Sequence, residues 1–234
     1  MRAAAATLAS IAYLVLRGGT LRARSAPLVL YLVAWLAAYA RHGQPLGLDE
    51  WQHALGTHGA FDPLAHLDAL VGGTLDREAV LREVKAATVR GCDGQPLLPG
   101  VESLLRDARA LRLGRAVASS SSCGWVEGWL RRHAIRELLD VVVARDDVRK
   151  VKPDPELFLL AAARLGSEPS ACLVFEDSPN GMRAALAAGM RCAAVPNALT
   201  RPLERPPVDL VLGSLAERPL AAILDELERV RARG

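Results

Sequence analysis

Residues 173–181 read LVFEDSPNG. An apolar run ends in two adjacent carboxylates, Glu176 and Asp177. A Ser178-Pro179-Asn180-Gly181 turn follows, and then the stretch MRAALAAGM (182–190). A short apolar run bounded by turn residues predicts a buried strand, and the segment behind it predicts a helix. Two acids at a strand tip suit a hard cation. They also suit the acidic first turn of a helix, which the helix dipole favours.

The same alternation extends on both sides. PGVESLLRDARALRLG (99–114) predicts a helix opened by Pro99 and closed by Gly114, and RAVAS (115–119) a strand. SSCGWVEGWLRRHA begins with a serine cluster fit to cap the helix that follows it. DVVVA (140–144) predicts a strand and DPELFLLAAARLG (154–166) a helix ending on glycine. ACLVF (171–175), RCAAV (191–195) and DLVL (209–212) predict three more strands. Continuous apolar runs between helices predict an α/β fold, a Rossmann-like parallel sheet covered on both faces. NALTRPLERPPVD (197–209) predicts a Pro-rich surface loop at the sheet's carboxyl edge.

Ligands of an open parallel sheet bind beyond the carboxyl ends of its strands. Ser119 to Ser122 follow one strand, KVKPDPE (150–156) trails another, and Glu176 and Asp177 follow a third. Hydroxyls and helix amides bind phosphate oxygens, lysine adds a point charge, and carboxylates suit magnesium. Singly, each group has an ordinary alternative: a helix cap, a solvated lysine, an acidic first turn. Three successive strand ends together point to a phosphate and metal site.

Residues 26–92 differ. Helical periodicity runs over 48–55, 62–71 and 75–89, broken by glycines at 56–59 and 72–73, with no strand signal. The expected organisation is a first core strand within 1–25, a helical insert at 26–92 and the main core at 93–234. Two uncharged stretches, 3–16 and 26–40, precede the first acid at Asp49, alongside five arginines. Each is shorter than the roughly 20 residues that span a bilayer. They predict a buried strand and a helix, with a signal segment cleaved at ARSA (23–26) as the alternative.

The 234 residues are 51% hydrophobic and 24% charged, as in an ordinary globular chain. A net charge of +3 gives no electrostatic reason for a nucleic-acid partner. The cysteines Cys92, Cys123, Cys172 and Cys192 form no C-x-x-C pair, and no histidine stands at ligand spacing from them. They predict reduced thiols in a cytoplasmic protein. Only Lys85, Lys150 and Lys152 are lysines, two of them beside a Pro-Asp-Pro turn.

AVASSSS (116–122), KVKPDPELF (150–158) and VFEDSPNGMRAALAAGM (174–190), with LLPGVESLLRDARA (97–110), together resemble the haloacid dehalogenase superfamily, in its phosphatase and β-phosphoglucomutase-like branch. The resemblance runs from about Trp35 to Ala222. It implies a helical cap inserted after the first strand, a Mg2+ cofactor and a small phosphorylated metabolite as partner, with no nucleic acid or membrane and an oligomeric state left open. Carried over, it makes Ser119 and Ser120 phosphoryl-binding residues, and Lys152 the group that neutralises phosphate charge and orients the nucleophile. Asp177 becomes a metal ligand with Glu176 in or beside its shell. Ser178 and Asn180 shape the loop around the metal and phosphate. The Glu-Asp form points away from true dehalogenases, which need no metal.

The family also carries D-x-D-G-T after its first strand, one aspartate as nucleophile and one as acid and base. In AYLVLRGGTL (12–21) Leu16 and Gly18 stand at those places. Three readings follow. The chain is a phosphatase or phosphomutase whose first residues, to about 34, are misread from a displaced frame or start. Or it is a pseudoenzyme that binds phosphate without turnover. Or residues 1–40 are a signal or anchor of an exported or tethered domain.

Overall fold

The computed structural model describes residues 10–12, 27–47, 51, 61–92, 96–197 and 200–231. Leu16, Gly18, the ARSA segment and most of the 48–55 helical stretch lie outside them. Contacts divide the chain into two compact units, Met1–Leu16 with Leu97–Gly234, and Arg17–Pro96.

Among the described residues, the larger unit holds a six-stranded sheet. Its strands are β1 (Ser10–Ala12), β2 (Gly114–Ala118), β3 (Val141–Val143), β4 (Cys172–Glu176), β5 (Arg191–Ala194) and β6 (Leu210–Val211). Their order is β3-β2-β1-β4-β5-β6 and every pairing is parallel. Successive residues of β4 serve opposite faces, as strand geometry requires. Leu173 and Phe175 join one core with α4 (Val101–Ala110), α5 (Cys123–Arg132) and α8 (Leu220–Arg231). Cys172 and Val174 join the other with α6 (Glu156–Leu165) and α7 (Pro179–Ala187). All five residues of β4 are buried, which explains its unbroken apolar run.

Two local expectations change. The helix expected at 99–114 ends at Ala110, and Gly114 opens β2 instead of closing the helix. The reversal is made at Arg112, whose φ of 58° supplies the left-handed step. Helix α8 is an addition. Its Leu220, Ile223 and Leu227 seal the first core at helical spacing.

In the smaller unit, α1 (Pro27–Arg41) packs on α3 (Arg77–Cys92), with α2 (Pro63–Leu70) beside α3. Leu32, Trp35, Ala38 and Tyr39 of α1 are buried, while Val33 is exposed. The Tyr39 hydroxyl donates to the carbonyl of Pro63 at 2.8 Å and lies 2.9 Å from Nδ1 of His66. Pro63 begins α2, whose first amides are capped by Asp62. Among the described residues, no helix is long and apolar enough to cross a membrane.

Candidate active site

The strand order reverses at β1: β2 and β3 lie to one side, β4 to β6 to the other. The carboxyl ends of β2 and β4 therefore flank the switch point where α/β sheets bind ligands. The segments 119–122 and 176–181 stand at those ends.

Glu176 ends β4 with its side chain fully enclosed. Its Oε2 accepts from Lys152 Nζ at 3.0 Å. Its Oε1 accepts from the Ser178 amide at 3.2 Å and the Ser178 hydroxyl at 2.7 Å. That same hydroxyl accepts from the Gly181 amide at 3.1 Å. One serine thus caps α7 with a lone pair and holds a carboxylate with its proton.

Lys152 is 3% exposed, and its ammonium lies 4.7 Å from the Phe158 ring centroid. A buried lysine demands a partner, and Glu176 provides it. The loop that delivers Lys152 is stitched to α6: the Arg149 and Lys150 amides donate to the Glu156 carboxylate. Lys150 itself points to solvent, 3.8 Å from Asp154. Of the two lysines beside the Pro-Asp-Pro turn, burial singles out Lys152.

Asp177 is 3% exposed. Its Oδ2 accepts from Asn197 Nδ2 at 2.8 Å. Asn180 lies one turn on, where its Oδ1 accepts from Arg183 at 2.8 Å.

At the end of β2, the Ser119 amide donates to Val143 O at 2.9 Å and extends the ladder past the strand. Ser119 Oγ accepts from the Ser121 amide at 3.1 Å. Ser120 Oγ is buried with no hydrogen-bond partner among the described residues. The expected serine cap of α5 takes another form. Ser122 occupies the cap position without a side-chain bond, and the Cys123 amide donates to the Asp146 carboxylate. Asp146 stands on a short 3-10 turn after β3, and the Arg145 amide donates to Ser121 O at 3.0 Å.

Lys152, Glu176 and Ser178 thus form one hydrogen-bonded cluster, with Asp177 adjoining. Ser119 and Ser120 occupy the end of β2, which β1 separates from β4. Leu16 and Gly18 lie outside the described residues. Asn197 and Asp146 were not among the expected site residues. Asn197 lies three residues past the end of β5, so the rule of examining each strand end reaches it; it is hidden in a segment read only as a Pro-rich loop.

A family model for haloacid dehalogenase-like hydrolases matches residues 18–189, well over half of the chain. The chain belongs to the haloacid dehalogenase-like hydrolases. Among relatives in this family, the provisionally named phosphatase YhcW of Bacillus subtilis (strain 168) is 40% identical over 189 residues, covering 81% of this chain and 86% of its own length. The validoxylamine A 7'-phosphate phosphatase of Streptomyces hygroscopicus subsp. limoneus is 31% identical over 163 residues, 69% of this chain and 76% of its own. A variant of CbbY from Rhodobacter sphaeroides, solved with xylulose-(1,5)bisphosphate, superposes with a TM-score of 0.72 at 29% identity, covering 91% of this chain and 97% of that one.

Haloacid dehalogenase-like phosphatases generally use Mg2+. The donor set here suits that ion in part. Magnesium keeps several waters and takes one or two carboxylates plus phosphate oxygens. Asp177 offers such a carboxylate at the strand tip. Both oxygens of Glu176 already serve Lys152 and Ser178. Among the described residues, no three His, Cys, Asp or Glu side chains gather as a metal cluster. The buried, unpartnered Ser120 hydroxyl suits a phosphate oxygen.

Proposed function

We propose that this haloacid dehalogenase-like chain binds a small phosphate monoester at the carboxyl edge of its sheet, with Mg2+ held by Asp177. The reaction class of its lineage is phosphoryl hydrolysis or transfer. The observation that carries the proposal is the buried Lys152–Glu176 pair set directly beside Asp177 at the switch point. The pair holds an ammonium at a fixed place, ready for phosphate oxygens. The neighbouring Asp177 brings a second carboxylate to the same strand tip, for the cation.

Ser119 and Ser120 take phosphoryl oxygens, and Lys152 offsets their charge. Glu176 anchors Lys152 from beside the metal shell. Asn180 and Ser178 shape the loop, Ser178 by joining Glu176 to α7. Mg2+, when bound, supplies further charge stabilisation to the phosphoryl group. Leu16 and Gly18 hold no group able to attack phosphorus or relay a proton. The chain with these residues therefore binds the ester without forming an aspartyl-phosphate.

Calorimetric titration with orthophosphate and Mg2+, beside turnover of p-nitrophenyl phosphate, tests this. Expected are phosphate binding, Mg2+ binding abolished by Asp177→Ala, and no turnover above buffer. A turnover that Asp177→Ala abolishes contradicts the absence of catalysis. A second reading is that residues 1 to about 34 come from a displaced frame and the native chain is an ordinary phosphatase. The lack of any Asp or Glu before Asp49 beside five arginines motivates that reading. Translation of the gene in three frames decides it: another frame encoding D-x-D-G-[TV] and rejoining near Trp35 supports it, and its absence removes it.

A further inference from the structure

We infer that Asn197 is a positioning residue for Asp177, orienting its carboxylate toward a divalent cation, and that the backbone of Thr200 fixes which end of the Asn197 amide does so. The inference rests on the proposed role of Asp177 as the cation ligand.

The two adjacent acids have different partners. Glu176 pairs with the ammonium of Lys152 at 3.0 Å, so its charge is balanced inside the protein. Asp177 Oδ2 accepts from the Asn197 amide at 2.8 Å. As a neutral donor, this amide fixes an oxygen without itself cancelling the carboxylate's charge. A lysine or arginine there would cancel the charge that a cation needs.

The orientation of the amide follows from its surroundings. Thr200 N donates to Asn197 Oδ1 at 3.1 Å, which identifies the oxygen end and turns the NH2 group toward Asp177. In return, the Asn197 backbone N–H donates to Thr200 Oγ1 at 3.1 Å, and Arg201 N donates to Asn197 O at 2.8 Å. Thr200 itself is 3% exposed, so it is seated in the protein. Two residues earlier, Val195 N donates to Glu176 O at 2.7 Å and ties the exit of β5 to the exit of β4. The turn and the carboxylate are thus in register. Outer partners of this kind orient metal-binding carboxylates, and their loss typically costs roughly 10- to 100-fold in metal affinity.

The test uses Mn2+ as the probe, with free ion read by electron paramagnetic resonance, and orthophosphate binding read by calorimetry without metal. The full chain is compared with Asn197→Ala and Asp177→Ala. Asn197→Ala is expected to weaken Mn2+ binding roughly 10- to 100-fold and to leave phosphate binding within about twofold of wild type. An unchanged Mn2+ affinity overturns the inference alone. Parallel loss of both ligands also overturns it, because that is the signature of general damage. If wild type fails to bind Mn2+, or Asp177→Ala binds it as well as wild type, the reading of Asp177 falls and takes the inference with it. Should Asn197→Ala fail to fold, Asn197→Ser decides. Its hydroxyl still accepts from Thr200 N in a turn of the same kind, but is too short to reach Asp177. Wild-type Mn2+ affinity in that variant overturns the inference.

Discussion

A β-carbon on Gly181 would lie 2.1 Å from Cδ of Glu176 and 2.3 and 2.4 Å from its two oxygens. Helix α7 begins so close to the tip of β4 that the carboxylate of Glu176 fills the space a side chain would need. Glycine is required here for close approach.

Gly181→Ala therefore forces Glu176 away from Ser178 and Lys152. Overpacking of this kind costs about 1–3 kcal/mol. Urea denaturation is expected to show a lower midpoint, and phosphate binding is expected to weaken as Lys152 loses its anchor. A wild-type midpoint together with wild-type phosphate affinity would contradict the account.

Lys152 and Glu176 should behave as a unit. Lys152→Met leaves a buried carboxylate without its cation, and such single removals cost about 3–5 kcal/mol. Glu176→Gln takes away the carboxylate charge that faces the ammonium at 3.0 Å. The double variant is expected to be less destabilised than the sum of the two singles, because it strands neither charge. Additive losses in a denaturation cycle would show that the 3.0 Å contact carries no coupling.

Asp147 gives the fold a small acid-labile part. The Ala144 amide and then the Arg164 guanidinium, each at 2.8 Å, hold its carboxyl below the ordinary value of 3.8. A depressed folded value means stability that is fully present above the unfolded value and lost as the pH falls through the folded one. Asp147→Asn is expected to be less stable than wild type at neutral pH, by under about 1 kcal/mol given its partial exposure. The difference should shrink as the pH falls below 3.8 and the wild-type acid takes up its proton. A gap that persists undiminished at low pH rules out the linkage.

The cysteines should separate by reactivity. Cys123 is exposed, while Cys172 and Cys192 are buried in the sheet. Burial pushes the Cys172 thiol up to about 11. Cys192 is raised still further, first by burial and then by the nearby Glu176 and Asp209 carboxylates. At roughly pH 8, iodoacetamide should label Cys123 in the native protein and reach Cys172 and Cys192 only after unfolding, because the thiolate is the reactive form. Mass spectrometry of the labelled peptides reads this directly. Native labelling of Cys172 would place β4 in a more open environment.

The local order of the core was legible in the chain. The apolar runs at 171–175 and 191–195 and the stripe in 154–166 announced strands and a helix within a residue or two of where they stand. Those periods are set by backbone geometry among near neighbours. Lys152 and Asp177 stand out in the chain because strand ends of a parallel sheet are where ligands gather as a rule, and the proposed site rests on that rule.

The partners of those residues were decided by tertiary structure. Glu176 and Asp177 read as an equivalent pair in the chain, yet one meets Lys152 from 24 residues away and the other Asn197 from 20. Asp146 likewise caps α5 across 23 residues, where the nearby serines were the expected cap. The need for glycine at 181 also follows from where Glu176 lies after β4 and α7 have packed. Such pairings depend on the register of neighbouring strands and on loops closed over many residues. Neither is written in local spacing, so the chain announced which groups stand at the sheet's edge, and the fold chose which of them face one another.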